Sequence, residues 1–287
     1  MKTFVAFLAT LAVALGAARA QDEYSAVEKP APKVGWKYIE VGERAQHDRT
    51  KVMSGGVVVQ EKNETTELAY EVAVEVLEVA GDDWSKVTLA FGKASMGGKD
   101  LGLGGKTIAA SGAKGERTFT LGGGTLDEDQ KKFLEGIFND KKDDEPDFHA
   151  VCFGSEPHAV GESWDMPLEK LVQVFQMSAQ DVDPETSTAT SRLVSVEEVG
   201  ETEVGTYEFE AKIALKSING SIPLQDGWLT MSGRFEWPVS EPGDPHASMT
   251  IEFTTKGEAK DVPLGPKKGD ITLDAGARIG TSIRPVE

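Results

Sequence analysis

Residues Tyr207 to Lys216 (YEFEAKIALK) alternate between apolar and polar side chains almost without a break. A period of two puts Tyr207, Phe209, Ala211, Ile213 and Leu215 on one face, and Glu208, Glu210, Lys212 and Lys216 on the other. Only a strand half-buried in a sheet satisfies that pattern. It returns at Leu229, Met231, Phe235 and Trp237, and again at Met249, Ile251 and Phe253. Earlier in the chain it appears at Tyr70, Val72, Val74 and Val76, then at Val87, Leu89 and Phe91. Asn219-Gly220, Asp226-Gly227 and Pro242-Gly243-Asp244-Pro245 punctuate the later runs with turn chemistry. Strands joined by short turns pair antiparallel. The expected fold is therefore mainly β (α+β), an antiparallel sheet meander with one wet face. Two related half-sheets and a half-barrel both remain open.

Two helices interrupt the strands, near residues 125–139 and 165–177. Thr125 and Glu128 stand at the spacing of a capping box. After them Leu126, Phe133, Leu134, Ile137 and Phe138 fall on one helical face. The second helix starts with Asp165 as cap and Pro167 in its first turn, and carries Leu168, Leu171, Val172 and Phe175 as its apolar stripe. The segment Lys141 to Asp147 (KKDDEPD) between them is expected to be a charged loop.

The start of the chain suggests an address. Lys2 gives a positive start, Phe4 to Leu15 is an apolar run, and Ala18-Arg19-Ala20 supplies small residues before a cleavage point. These are the parts of a secretory signal peptide over residues 1–20, so the protein is expected to be exported, to a periplasm or the exterior. No later stretch is apolar enough to span a bilayer as a helix. Residues 21–33 form a polar, proline-containing leader, expected to be flexible. An N-terminal β unit ending in a helix is expected over 34–150, and a helix plus β-meander over 151–287, the two allowing one continuous domain.

The formal charge is −18, and −20 once Lys2 and Arg19 leave with the signal. A surface this acidic disfavours nucleic acid and anionic membrane, both of which demand positive charge from a partner. The expected partners are an unidentified protein, a glycan or an apolar ligand. Cys152 is the only cysteine, so no disulfide holds the chain together and a hydrophobic core must. Its neighbours Val151 and Phe153 favour a buried thiol.

The two halves echo each other. Val34-Gly35-Trp36 precedes one run of strands and Val160-Gly161-Glu162-Ser163-Trp164 the other. Leu77 to Gly81 (LEVAG) and Val196 to Gly200 (VEEVG) occupy comparable places. The signal peptide, the V-G-x-x-W entry, the Pro-containing helix and Pro184 to Gly200 (PETSTATSRLVSVEEVG) resemble uncharacterised exported bacterial β-rich proteins. The resemblance covers mainly residues 154 to 216. It implies an exterior β-rich protein and carries no catalytic residue.

Few residues suggest chemistry. Lys99 to Ala110 (KDLGLGGKTIAA) ends its glycine run in Gly105-Lys106-Thr107, like a phosphate loop. The first glycine of that motif would stand at position 100, which is Asp100, and too few residues follow for a helix. A mobile loop or a β-connection of low order is expected there. His149, Cys152, Glu156 and His158 lie within ten residues and are the weak metal candidates. Their spacing fits no standard site, so neither a metal nor any other cofactor is expected. Asp181-Val182-Asp183-Pro184-Glu185 begins like a calcium loop, but Thr186 and Arg192 occupy its glycine and glutamate positions. Among the aromatics, Trp228 is the candidate ligand contact, since it lies opposite the core-facing register of Phe235 and Trp237. No G-x-S-x-G, H-E-x-x-H or S-x-x-K motif is present.

These features favour an exported non-catalytic protein with a binding or envelope-structural role. A lipid or apolar-ligand carrier with a half-barrel cavity is one alternative. A secreted hydrolase with an unrecognised site is the other.

Overall fold

The structure, a computed structural model, describes residues 22–27, 31–139, 148–174, 181–218, 222–240, 242–264 and 267–286. The expected signal peptide, the charged loop expected over Lys141–Asp147 and Phe175 lie outside them.

The N-terminal half contains β1 (Glu23–Tyr24), β2 (Lys37–Ser54), β3 (Val57–Ala80), β4 (Asp83–Met96), β5 (Lys99–Asp100), β6 (Thr107–Ser111), β7 (Thr118–Leu121) and the helix α1 (Glu128–Phe138). The C-terminal half contains α2 (Phe148–Phe153), β8 (His158–Ala159), β9 (Ser163–Asp165), α3 (Leu168–Val174) and β10 (Val182–Val199). It closes with β11 (Thr202–Ile218), β12 (Ile222–Pro238), β13 (Ala247–Leu264) and β14 (Lys267–Pro285). Twelve strands make one sheet, ordered β7-β6-β4-β3-β2-β14-β13-β12-β11-β10-β9 with β5 on β4. The pairings are antiparallel, and the sheet is open, with edges at β7 and β9. The two halves are fused where the first long strand meets the last: β2 pairs with β14 from Tyr38↔Pro285 to Met53↔Asp270.

The alternation read in the sequence sorts the side chains as expected. Val72, Val74 and Val76 of β3 and Val87, Leu89 and Phe91 of β4 are buried in one core; Tyr207, Phe209, Ala211 and Ile213 of β11 are buried in another. Each core is closed by helices. From α1, Phe133 meets Tyr70 and Phe91 edge-on at 5.9 and 6.1 Å between ring centres, and Phe138 meets the same two rings. In the other half Phe153 of α2 lies 4.5 Å from Tyr207 and 5.6 Å from Phe235, while Leu171 and Val172 of α3 are buried beside them. Edge-to-face rings of this kind add to the area they bury.

Glycines let these rings lie on the sheet. Gly42 pairs with Tyr70 across β2 and β3, and a Cβ on Gly42 would stand 2.1 Å from Tyr70 Cε1. Gly233 pairs with Phe209 in the other half, where a Cβ would stand 2.2 Å from its Cε1.

The two halves also share a turn. The Gly35 amide donates to the Val76 carbonyl, the Val76 amide to Trp36 O, and the Trp36 amide back to Lys33 O. The Gly161 amide donates to Leu193 O, the Leu193 amide to Glu162 O, and the Glu162 amide to Ala159 O. Both glycines have a left-handed φ, +89° and +90°, which side chains with a Cβ rarely adopt. The two V-G motifs thus make the same connection onto β3 and β10.

Several local expectations shift. The helix cap is Asp127, not Thr125: its carboxylate accepts from the Gln130 amide at 2.9 Å, and the Asp127 amide donates to Gln130 Oε1 at 3.1 Å. Gln130 also donates to Leu101 O, and this buried bond fixes the register. Helix α2 was not anticipated; its six residues are too few for a periodic signal. Segments of the leader that composition marks as flexible are docked: β1 pairs with β8, and Val27 donates to Pro238 O at 2.9 Å.

Candidate functional site

Three tryptophans meet at the end of the sheet where the halves join. Trp36 follows the Gly35 turn and leads into β2. Trp84 opens β4 just after the β3–β4 turn, where Gly81 adopts a φ of +64°. Trp237 stands at the end of β12, its indole N–H donating to Val27 O of the leader at 2.8 Å. With Tyr38 of β2 they line a cleft of about 230 Å³. Its remaining wall is mainly apolar: Pro238 at the end of β12, Pro242 and Pro245 of the β12–β13 connection, and Ala247 and Ile283 from β13 and β14. Leader residues close one side, where Pro32 lines the cleft and Lys33 donates to Pro242 O at 3.0 Å.

Polar groups are few and converge at the rim. Asp82 is exposed there, and Asp83 accepts from the Trp84 amide at 2.8 Å. Behind Asp83 lies Arg117, whose side chain is only 4% exposed. Its guanidinium pairs with Asp83, donates to Phe138 O at the end of α1, and stacks 3.5 Å from the centre of the Trp84 ring. Burial pulls the Arg117 pKa down, opposed by the Asp83 carboxylate. Arg117 therefore fixes both Asp83 and Trp84 against the N-terminal core. Burial also pushes the Tyr38 hydroxyl up, and Glu40 and Asp83 push it further; it stays protonated at neutral pH. His246 lines the opposite wall with Nε2 3.6 Å from Glu236, and its Nδ1 has no hydrogen-bond partner.

The residues singled out in the sequence lie elsewhere. Cys152 is fully buried in the C-terminal core, Glu156 is exposed, and the side chain of His149 lies outside the described residues. His158 is buried and stacked on Trp164, ring centres 3.6 Å apart, with Nδ1 3.4 Å from Glu162. Among the described residues no three His, Cys, Asp or Glu side chains are placed to share a metal ion. Trp228 lies half-exposed on the face opposite the core, with Lys212 Nζ 4.1 Å from its ring centre and its indole N–H donating to Asp226 at 2.8 Å.

The glycine run is an ordered β-connection, contrary to the low order expected. Leu101 and Leu103 are buried in the N-terminal core and pin it. The Gly102 amide is taken by Asp100, that of Gly105 by Phe91 O and that of Lys106 by Leu103 O. Strand β6 follows where a phosphate site needs a helix N-terminus. The Asp181–Glu185 stretch mostly enters β10, with Asp183 paired to Lys216 at 3.4 Å.

Among the described residues a Ser, His and Glu do come together at Glu236, which accepts from Ser248 Oγ at 3.1 Å and faces His246. The carboxylate, not the imidazole, stands between the other two. Serine activation needs the base on the hydroxyl.

No family model matches the chain, and no curated protein matches it in sequence.

Proposed function

We propose that this is an exported, non-catalytic binding protein whose ligand site is the cleft where the two halves of the sheet join. The observation that carries the reading is the meeting of Trp36, Trp84 and Trp237 with Tyr38 around one mainly apolar cleft, with Asp82 and Asp83 at its mouth. A concave apolar pocket with a few convergent polar groups is the ordinary form of a small-molecule site. Both halves and the leader contribute, so the ligand would bridge the fold at its seam. The carrier alternative needs a large greasy cavity between sheet and helices. The aromatic contacts of Phe133, Phe138 and Phe153 between sheet and helices support the seam cleft over that alternative.

Native mass spectrometry of protein taken from the cells that export it tests the reading. A small molecule should accompany the wild type and be absent from Ala247→Phe, in which a ring fills the cleft. Equal retention by the folded variant would place the ligand elsewhere, and no bound molecule under any extraction would favour the envelope-structural role.

A further inference from the structure

We propose that the cleft takes a compact organic cation of the alkylated ammonium class, an inference that rests on reading the cleft as a binding site. Size limits the ligand first. About 230 Å³ falls below the roughly 300–1,000 Å³ of sites for drug-sized molecules, so the cleft holds a small group and not the whole of an acyl chain or an oligosaccharide.

Wall chemistry then separates a cation from a neutral sugar. A sugar buries hydroxyls that each require a partner, whereas Pro238, Pro242, Pro245, Ala247 and Ile283 present hydrocarbon. An alkylated ammonium requires no such partners, because its alkyl groups bury against hydrocarbon while its diffuse charge is met by aromatic faces and carboxylates. The cleft has both. Three indoles and a phenol line it, and the exposed Asp82 stands beside them, Asp83 being paired with Arg117.

Two of the rings already carry a cation of the chain: the Arg117 guanidinium stacks on Trp84, and Lys33 Nζ lies 5.7 Å from the centre of the Trp36 ring. A ligand cation would therefore rest chiefly on Trp237 and Tyr38. Tyr38, 9% exposed, adds its phenol ring to the cleft wall. A formal charge of −18 adds a long-range field that gathers cations at such a mouth.

Calorimetric titration of the purified protein with choline tests this, against 3,3-dimethylbutan-1-ol, the neutral isostere with carbon in place of nitrogen. Choline should bind saturably and at least tenfold more tightly than the isostere. Added salt, and Asp82→Asn at its exposed turn, should each weaken choline several-fold and leave the isostere unchanged. Equal affinity for the two, or no binding of choline, overturns the cation assignment alone. The comparison with Ala247→Phe decides independently whether the cleft is a site at all.

Discussion

Replacing Arg117 by Met keeps most of the buried stem and removes the charged fork. The Phe138 carbonyl then loses its partner inside the protein, which costs about 1–3 kcal/mol. Stacking on Trp84 at 3.5 Å contributes about 1–2 kcal/mol when desolvated. The pair with Asp83 adds little, under about 1 kcal/mol, because that carboxylate is 42% exposed and rehydrates once freed. Against these runs the relief of a desolvated guanidinium whose Nε has no partner. The balance is a loss of about 2–4 kcal/mol, non-additive among the three contacts. Equilibrium unfolding in urea, monitored by tryptophan fluorescence, measures it as a lower midpoint. Asp83→Asn should also lower the midpoint, since it leaves the buried guanidinium without its counter-charge. A variant Arg117→Met within about 0.5 kcal/mol of wild type, the range of inert surface changes, would refute the claim that Arg117 anchors the cleft wall.

Gly42→Ala should destabilise by about 1–3 kcal/mol through overpacking against Tyr70, and Gly136→Ala, in open space on α1, should stabilise by roughly 0.5–1 kcal/mol; thermal melts giving both the same sign would contradict the packing described. Burial holds the Glu40 carboxyl above its ordinary range, opposed by the Tyr70 hydroxyl at 2.6 Å. The native state then keeps a proton that the unfolded chain releases, so this group's stabilisation is complete below the unfolded carboxylate range and fades as pH rises through the folded pKa. Glu40→Gln should accordingly gain on wild type near pH 7 and lose that advantage near pH 4 (about the ordinary glutamate value). A constant difference across that range speaks against the raised pKa. Lys106→Ala should shift stability by under about 0.5 kcal/mol, and Mg-ATP should leave the melting temperature of both proteins unchanged; a nucleotide-induced rise lost in the variant would restore the phosphate-loop reading.

Strand faces were legible because alternation is a local signal that burial enforces. Val72 through Phe91 and Tyr207 through Ile213 point where a period of two says they must. The echo of the two V-G motifs was also visible, and its meaning is the shared turn onto β3 and β10. The site was less accessible. Trp36, Trp84 and Trp237 each stand near a turn, and in an antiparallel meander those turns fall at one end. Bringing them together also requires the pairing of β2 with β14, between residues more than 200 positions apart, which no local pattern encodes. Trp228 stands out because its register faces away from the core, but register says nothing of its contacts with Lys212 and Asp226. The cap moved from Thr125 to Asp127 because the buried bond from Gln130 to Leu101 O outweighs a motif of similar local strength. Leu101 and Leu103 were hidden in a glycine-rich stretch whose composition suggests mobility, and burial of two leucines overrides it.

The indole N–H resonances of the five tryptophans test the central claim most directly, recorded while ligand-free protein is titrated with the small-molecule fraction released from protein taken from its host. Binding at the seam should move Trp36, Trp84 and Trp237 together and leave Trp164 and Trp228 in place. A saturable shift at Trp228 with the three seam resonances unmoved would contradict the account.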